Sequence, residues 1–184
     1  NFVDGLLIQP NSDGSAPTTG TLSTATGNVG IGKSTFTALT SGQYNTALGY
    51  NSAAALTTAH SAVGIGSGAL ASVTTGNGNI GIGRDALTAD TTGNYNVAIG
   101  YQTMQSNVDG DRNTAVGSTA LQNLDPASNV DMYNTAVGFA AGLALTTGIQ
   151  NTFIGAESGD ASTTSSYNTA IGGMSFTGNT TGSD

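Results

Sequence analysis

The sequence predicts an all-β fold, a parallel β-solenoid (β-roll or β-helix) of nine 17-residue coils, assembled as an intertwined or side-by-side homotrimer. Three observations carry this. A glycine preceded by Ile, Val or Leu stands at Gly32, Gly49, Gly66, Gly83, Gly100, Gly117, Gly138, Gly155 and Gly172, each 17 residues after the last except for one step of 21. The surrounding residues repeat too, close to N-[TV]-[AG]-[IVL]-G-x-x-[AS]-[LFM]-x-x-[LV]-T-T-G-x-Y, as in NTAVGFAAGLALTTGIQ from Asn134. Finally, only 8% of residues are charged, which leaves little from which to build the polar face of a helix. A 17-residue period is too short for a helical hairpin and suits one coil with two or three short strands.

Residues 1–27 read as an N-terminal capping segment with one degraded coil at 11–27, where Leu22 takes the place that Leu39 and Leu56 hold later. Residues 28–184 are the repeat domain. Stacked coils set like residues about 4.8 Å apart, so each unit position becomes a column along the rod. Position 1 holds Asn28, Asn45, Asn79, Asn96, Asn113, Asn134, Asn151 and Asn168, with Ala62 the one exception. This column is expected to form an amide ladder at a corner, where short polar side chains satisfy turn backbone.

Position 4 holds Ile31, Leu48, Ile65, Ile82, Ile99, Val116, Val137, Ile154 and Ile171. It is expected inside the coil with the large residues of position 9 (Phe36, Leu70, Leu87, Met104, Leu121, Phe176), a column that Ala53, Gly142 and Gly159 interrupt. Positions 3 and 5 are almost all Ala or Gly and alternate with position 4 along the strand. If position 4 points in, they point out as a smooth strip suited to parallel self-association about a threefold axis. The alternative is that Ala and Gly avoid crowding inside a narrow coil. The Thr-Thr-Gly run, as at Thr91-Thr92-Gly93, reads as the next turn, and a four-residue insertion containing Pro126 falls at about 122–133.

The stretch GNVGIGKS, Gly27 to Ser34, satisfies the phosphate-binding pattern G-x-x-x-x-G-K-[ST]. In the same unit positions other coils read GNIGIGRD and YNTALGYN, so the glycines have a reason in the repeat. The residues that follow, TFTALTSG, carry no helical period, and nucleotide binding is not expected.

The formal charge of −8, with only Lys33, Arg84 and Arg112 positive, argues against nucleic acid and anionic membrane as partners. Disulfides and thiolate chemistry are excluded because there is no cysteine. No apolar run approaches the roughly 18 residues of a membrane span, so no membrane insertion is expected. The N-terminus lacks the basic region of a signal peptide, and the start on Asn1 and stop on Asp184 suggest an excised segment of something longer.

Tandem N-T-A-[IV]-G-x-x-A-L units separated by T-T-G resemble the repeats of bacteriophage tail fibres and of bacterial surface proteins with tail-fibre domains. More distantly, N-[TV]-A-[IV]-G is similar to the repeat of trimeric autotransporter adhesin heads. The resemblance covers residues 28–184 and implies a homotrimeric, extracellular or virion-borne fibre whose receptor is a cell-surface glycan or protein. The adhesin-head unit is shorter than 17 residues, so its coil geometry does not carry over intact.

Residues able to do chemistry are few. His60, the only histidine, sits in a turn with no nucleophile beside it and reads as solvated surface. Asp109-Gly110-Asp111 is an oxygen-rich turn of the kind that binds calcium, yet adjacent coils supply no matching carboxylate, and no metal or cofactor is expected. Glu157 and Asp160 are isolated, and no column pairs carboxylates as glycan hydrolysis requires, so the chain is not expected to be an enzyme. Tyr44, Tyr95, Tyr133 and Tyr167 recur at position 17, as an intercoil ladder, a chain-chain contact or a platform for sugar rings. The expected function is a structural and adhesive fibre segment, with a Thr-rich ice-binding face as the alternative.

Overall fold

A computed structural model of the chain describes residues 6–8 and 25–182. Among these there is no helix. Three-residue strands recur once per repeat: β1 (Leu6–Ile8), β2 (Val29–Ile31), β3 (Thr46–Leu48), β4 (Val63–Ile65), β5 (Ile80–Ile82), β6 (Val97–Ile99), β8 (Thr114–Val116), β10 (Thr135–Val137), β11 (Thr152–Ile154) and β12 (Thr169–Ile171). All ten lie in one parallel sheet in sequence order. Two-residue strands β7 (Gly110–Asp111) and β9 (Val130–Asp131) make a second small sheet where the insertion is accommodated.

The register is that of a solenoid: Val29 pairs with Thr46, Thr46 with Val63, Val63 with Ile80, and so on to Thr152 with Thr169. The nine strands β2–β6, β8 and β10–β12 therefore enclose eight complete turns. At the N-terminal end β1 pairs with β2, Leu6 with Val29, a separation of 23 residues. Leu22 and most of the expected coil at 11–27 lie outside the described residues.

Each coil holds one principal strand rather than two or three. Backbone conformation gives the reason. Among the described residues, twenty-two that are not glycine have positive φ, and all fall on unit positions 7, 9 and 17, as at Asp85 (57°), Leu87 (50°) and Tyr95 (57°). A left-handed residue turns the chain, so no extended run survives between them. Each costs on the order of 1–2 kcal/mol in an L-residue. Hydrogen bonds between successive coils, such as Leu87 N–H to Thr103 O (3.1 Å) and Met104 N–H to Ala120 O (3.0 Å), offset that strain by ordering every turn on its neighbour. Position 5 goes further: φ lies between 122° and 140° at all nine glycines, and a Cβ on Gly83 would strike the Gly100 carbonyl.

The inward and outward assignment of the strand is the reverse of the expected one. Position 3 is buried, with Ala98, Ala115 and Ala136 at 0% exposure, whereas Ile31, Leu48, Val137 and Ile154 at position 4 are 38–44% exposed. Ile65, Ile82, Ile99 and Val116 are half-buried and Ile171 is 70% exposed. Space decides this. Leu70, Leu87, Met104 and Leu121 at position 9 fill the coil from the opposite wall, together with Leu39, Leu56, Leu124 and Leu145 at position 12. A Cβ at Gly81 would already lie 3.0 Å from Leu70 Cδ2, so where position 9 is large only Ala or Gly fits on the inner side of the strand. Small residues at position 3 thus relieve crowding in the interior and form no outer strip.

One coil inverts the scheme and keeps its volume. Phe153 brings a large ring in from position 3, and the facing position-9 residues are Gly142 and Gly159. The three atoms nearest a Cβ on Gly159 all belong to the Phe153 ring, at 2.6–2.8 Å. Two of the three interruptions of the position-9 column, Gly142 and Gly159, are therefore the complement of one large residue across the coil.

Candidate functional site

Three columns of side chains bind coil to coil. At position 1 the buried asparagines do two jobs. Their Oδ1 atoms accept the backbone N–H of the next position 1, as in Asn96 N–H to Asn79 Oδ1 (2.9 Å) and Asn151 N–H to Asn134 Oδ1 (2.9 Å). Their Nδ2 atoms close the same coil on the position-15 carbonyl, as in Asn79 to Gly93 (2.6 Å) and Asn134 to Gly148 (2.8 Å). Ala62 still donates its N–H to Asn45 Oδ1 (2.8 Å), so the column skips only the bonds an asparagine side chain at 62 would add.

Position 16 runs the opposite way. Gln43 N–H donates to His60 Nδ1 (3.1 Å), His60 N–H to Asn77 Oδ1 (2.9 Å), Asn77 N–H to Asn94 Oδ1 (2.9 Å) and Asn94 N–H to Asp111 Oδ1 (2.7 Å). Sequence reasoning misses this ladder: His60 is exposed, as expected, and its Nδ1 also serves as an acceptor between coils. The available signal was a column of side-chain acceptors, Gln43, His60, Asn77, Asn94 and Asp111, at one place in the period. Position 13 adds a third column, in which the hydroxyls of Thr57, Thr74 and Thr146 each donate to a carbonyl of the next coil at 3.0 Å.

Outside the coil, positions 2 and 4 form a broad face along the rod: eighteen residues, all Val, Ile, Leu or Thr, with no ionisable group. Exposed aromatic residues flank it, with Tyr44, Tyr95, Tyr133 and Tyr167 at position 17 and Tyr50, Tyr101 and Phe139 at position 6. The position-17 rings pack along the stack. Tyr44 lies over Gly27 and Tyr95 over Gly78, at positions where a Cβ would come within 2.7 Å of the ring. Arg112 covers Tyr95 with its guanidinium 5.1 Å from the ring centre.

The insertion brings the exposed charges together. Arg112 Nε donates to Asp131 Oδ1 (2.6 Å), and the Tyr133 hydroxyl donates to Asp131 Oδ2 (2.9 Å). These bonds, that of Arg112 first, hold the Asp131 carboxyl below its usual value. Asp109 Oδ1 accepts from the hydroxyls of Thr92 (2.6 Å) and Thr91 (3.2 Å), while Asp111 is turned to Asn94. The two aspartates considered for calcium thus serve separate coil-to-coil bonds. Among the described residues no group of three or more His, Asp or Glu is placed to hold a metal ion.

At the phosphate-binding pattern, Ile31 O and Lys33 O accept N–H groups of Gly49 and Asn51 at 2.9 Å, and turns follow instead of a helix. That backbone is part of the stack. Among the described residues no helix is long and apolar enough to cross a membrane. No protein-family model, curated protein or solved structure matches the chain.

Proposed function

We propose that the chain is a structural and adhesive fibre segment, exposed outside a cell or on a virion, in which parallel copies associate through the outward face of positions 2 and 4. The single observation behind it is that face: a charge-free, aliphatic and threonine surface repeated in register along the whole rod of a chain whose net charge is −8. Contiguous exposed apolar surface of this extent marks an interaction site in soluble proteins. A second copy of the same chain suits it, because an identical repeat along both partners lets every coil make the same contact. Three copies, the number in the adhesin heads the repeat resembles, keep both ends of all rods pointing the same way.

Mechanically, the segment spaces or presents a binding tip. Load along the rod is carried by backbone and side-chain bonds at every turn, and the sheet has free edges only at its two ends. Sedimentation velocity tests the assembly: an elongated particle of three chains is expected, and a stable single chain in dilute native solution overturns it.

A second reading, recognition of ice or ordered water, has one observation in its favour. Thr114, Thr135, Thr152 and Thr169 stand in register beside Val116, Val137, Ile154 and Ile171 on the outward side of the sheet. Thermal hysteresis in a single-chain preparation would favour it over the fibre.

A further inference from the structure

Among the described residues one acidic residue has no exposed surface at all. Asp90 is fully buried at position 12, in the column that elsewhere holds Leu39, Leu56, Val73, Leu124 and Leu145. Its Oδ1 accepts the Gly93 N–H at 2.8 Å, while Oδ2 has no partner.

Two other coils show what this arrangement is built for. Asn107 Oδ1 accepts the Gly110 N–H (3.1 Å) and Asn107 Nδ2 donates back to Gly110 O (3.0 Å). Asn179 makes the same reciprocal pair with Gly182, at 2.7 and 3.3 Å. Asp90 repeats the first bond across the same three-residue spacing, so its buried, unpartnered Oδ2 corresponds to the asparagine's donating nitrogen. An ionised carboxylate there would set a bare acceptor against the Gly93 carbonyl. A protonated one completes the pair.

We propose that the folded solenoid carries Asp90 as a neutral carboxylic acid whose Oδ2–H donates to the Gly93 carbonyl in place of an asparagine amide, and that loss of this proton in alkaline medium loosens the coils around residues 79–111. The surroundings act in the same direction. Desolvation is the main influence, with Asp111 and Asp109 of the following coil adding repulsion; the Gly93 N–H and the Asn96 amide oppose them, and the balance pushes the group up to about 8. The preceding coil, residues 62–78, contains no ionisable side chain.

The linkage has a definite sign. Between the reference value of 3.8 and about 8, the folded chain holds one proton that the unfolded chain has released. Each rise of one pH unit in that window lowers the folding equilibrium constant by a factor of about ten. The stabilisation is complete below the unfolded value and is lost as pH rises through the folded one.

Chemical denaturation of the wild type and of Asp90→Asn from about pH 5 to about pH 9 tests the proposal. The expected result is a folding constant for the wild type that falls relative to Asp90→Asn by about tenfold per pH unit, flattening above about pH 8.5. A ratio independent of pH overturns the proposal. If the variant does not fold, the carboxyl carbon chemical shift of Asp90 in the folded wild type decides alone: a titration step near pH 8 supports the neutral acid, and a step in the ordinary aspartate range contradicts it.

Discussion

Val97, Ala98 and Ile99 are consecutive on one strand, and their environments are opposite: Ala98 is completely buried, while Val97 and Ile99 line the outer face. The larger aliphatic residues are outside because the coil is too narrow to take them from this wall. What distinguishes the two faces is the opposing wall, where Leu87 and Met104 already occupy the interior. Hydrophobicity alone ranks the pair in the wrong order; volume ranks it correctly.

The comparison predicts a steep contrast between substitutions on the two faces. The largest effect belongs to the interior. Phe153→Ala should cost about 3–5 kcal/mol in denaturant unfolding, since it empties a site that two glycines cannot refill. Adding Gly159→Leu to that variant should recover a large part of the loss, because position 9 holds leucine at φ of 48–54° in Leu70, Leu87 and Leu121. In the wild-type background the same Gly159→Leu should destabilise, since its first carbon meets the Phe153 ring. Failure of the double variant to recover would mean that Phe153 and Gly159 do not share one volume.

An intermediate effect is expected from the ladder. Asn96→Ala removes the acceptor for Asn113 N–H (3.0 Å) and the donor to Gly110 O (2.7 Å), both buried. A loss of about 1–3 kcal/mol is expected, chiefly from the Asn113 N–H left unsatisfied, since Gly110 O keeps its bond from Asn107 Nδ2; it is read as a fall in the denaturation midpoint. The smallest effect on the single chain lies on the outer face. Ile82→Thr should change single-chain stability by about 0.5 kcal/mol or less, yet weaken association measured by sedimentation as a function of concentration. A large loss of single-chain stability there would erase the distinction between the faces.

How much of this was legible in the sequence depends on which physical property wrote the signal. The period of 17 is plain because stacking makes each turn meet a copy of itself, so the glycine of Gly83 recurs in every coil and the asparagine of Asn79 in all but the one that begins at Ala62. The asparagine column was legible for a related reason, as a short amide recurring in one turn has few structural uses. Alternation along Val97-Ala98-Ile99 said only that neighbours differ, and assigning the inner face needed the dimensions of the coil. The left-handed backbone at Leu87 and Tyr95 left no mark, since neither residue favours that region and the stack imposes it. Nor was the His60 and Asp111 ladder visible as a motif, because its members share an acceptor atom and not a residue type.

The most direct measurement uses the lack of cysteine in the chain, which makes single introduced thiols unambiguous. Ile99→Cys and Ala98→Cys are compared under native oxidising conditions and against a maleimide. The account predicts that Ile99→Cys links pairs of chains through a disulfide, whereas Ala98→Cys links none and reacts only after unfolding. Rapid native modification of Ala98→Cys, with Ile99→Cys shielded and unlinked, would contradict it.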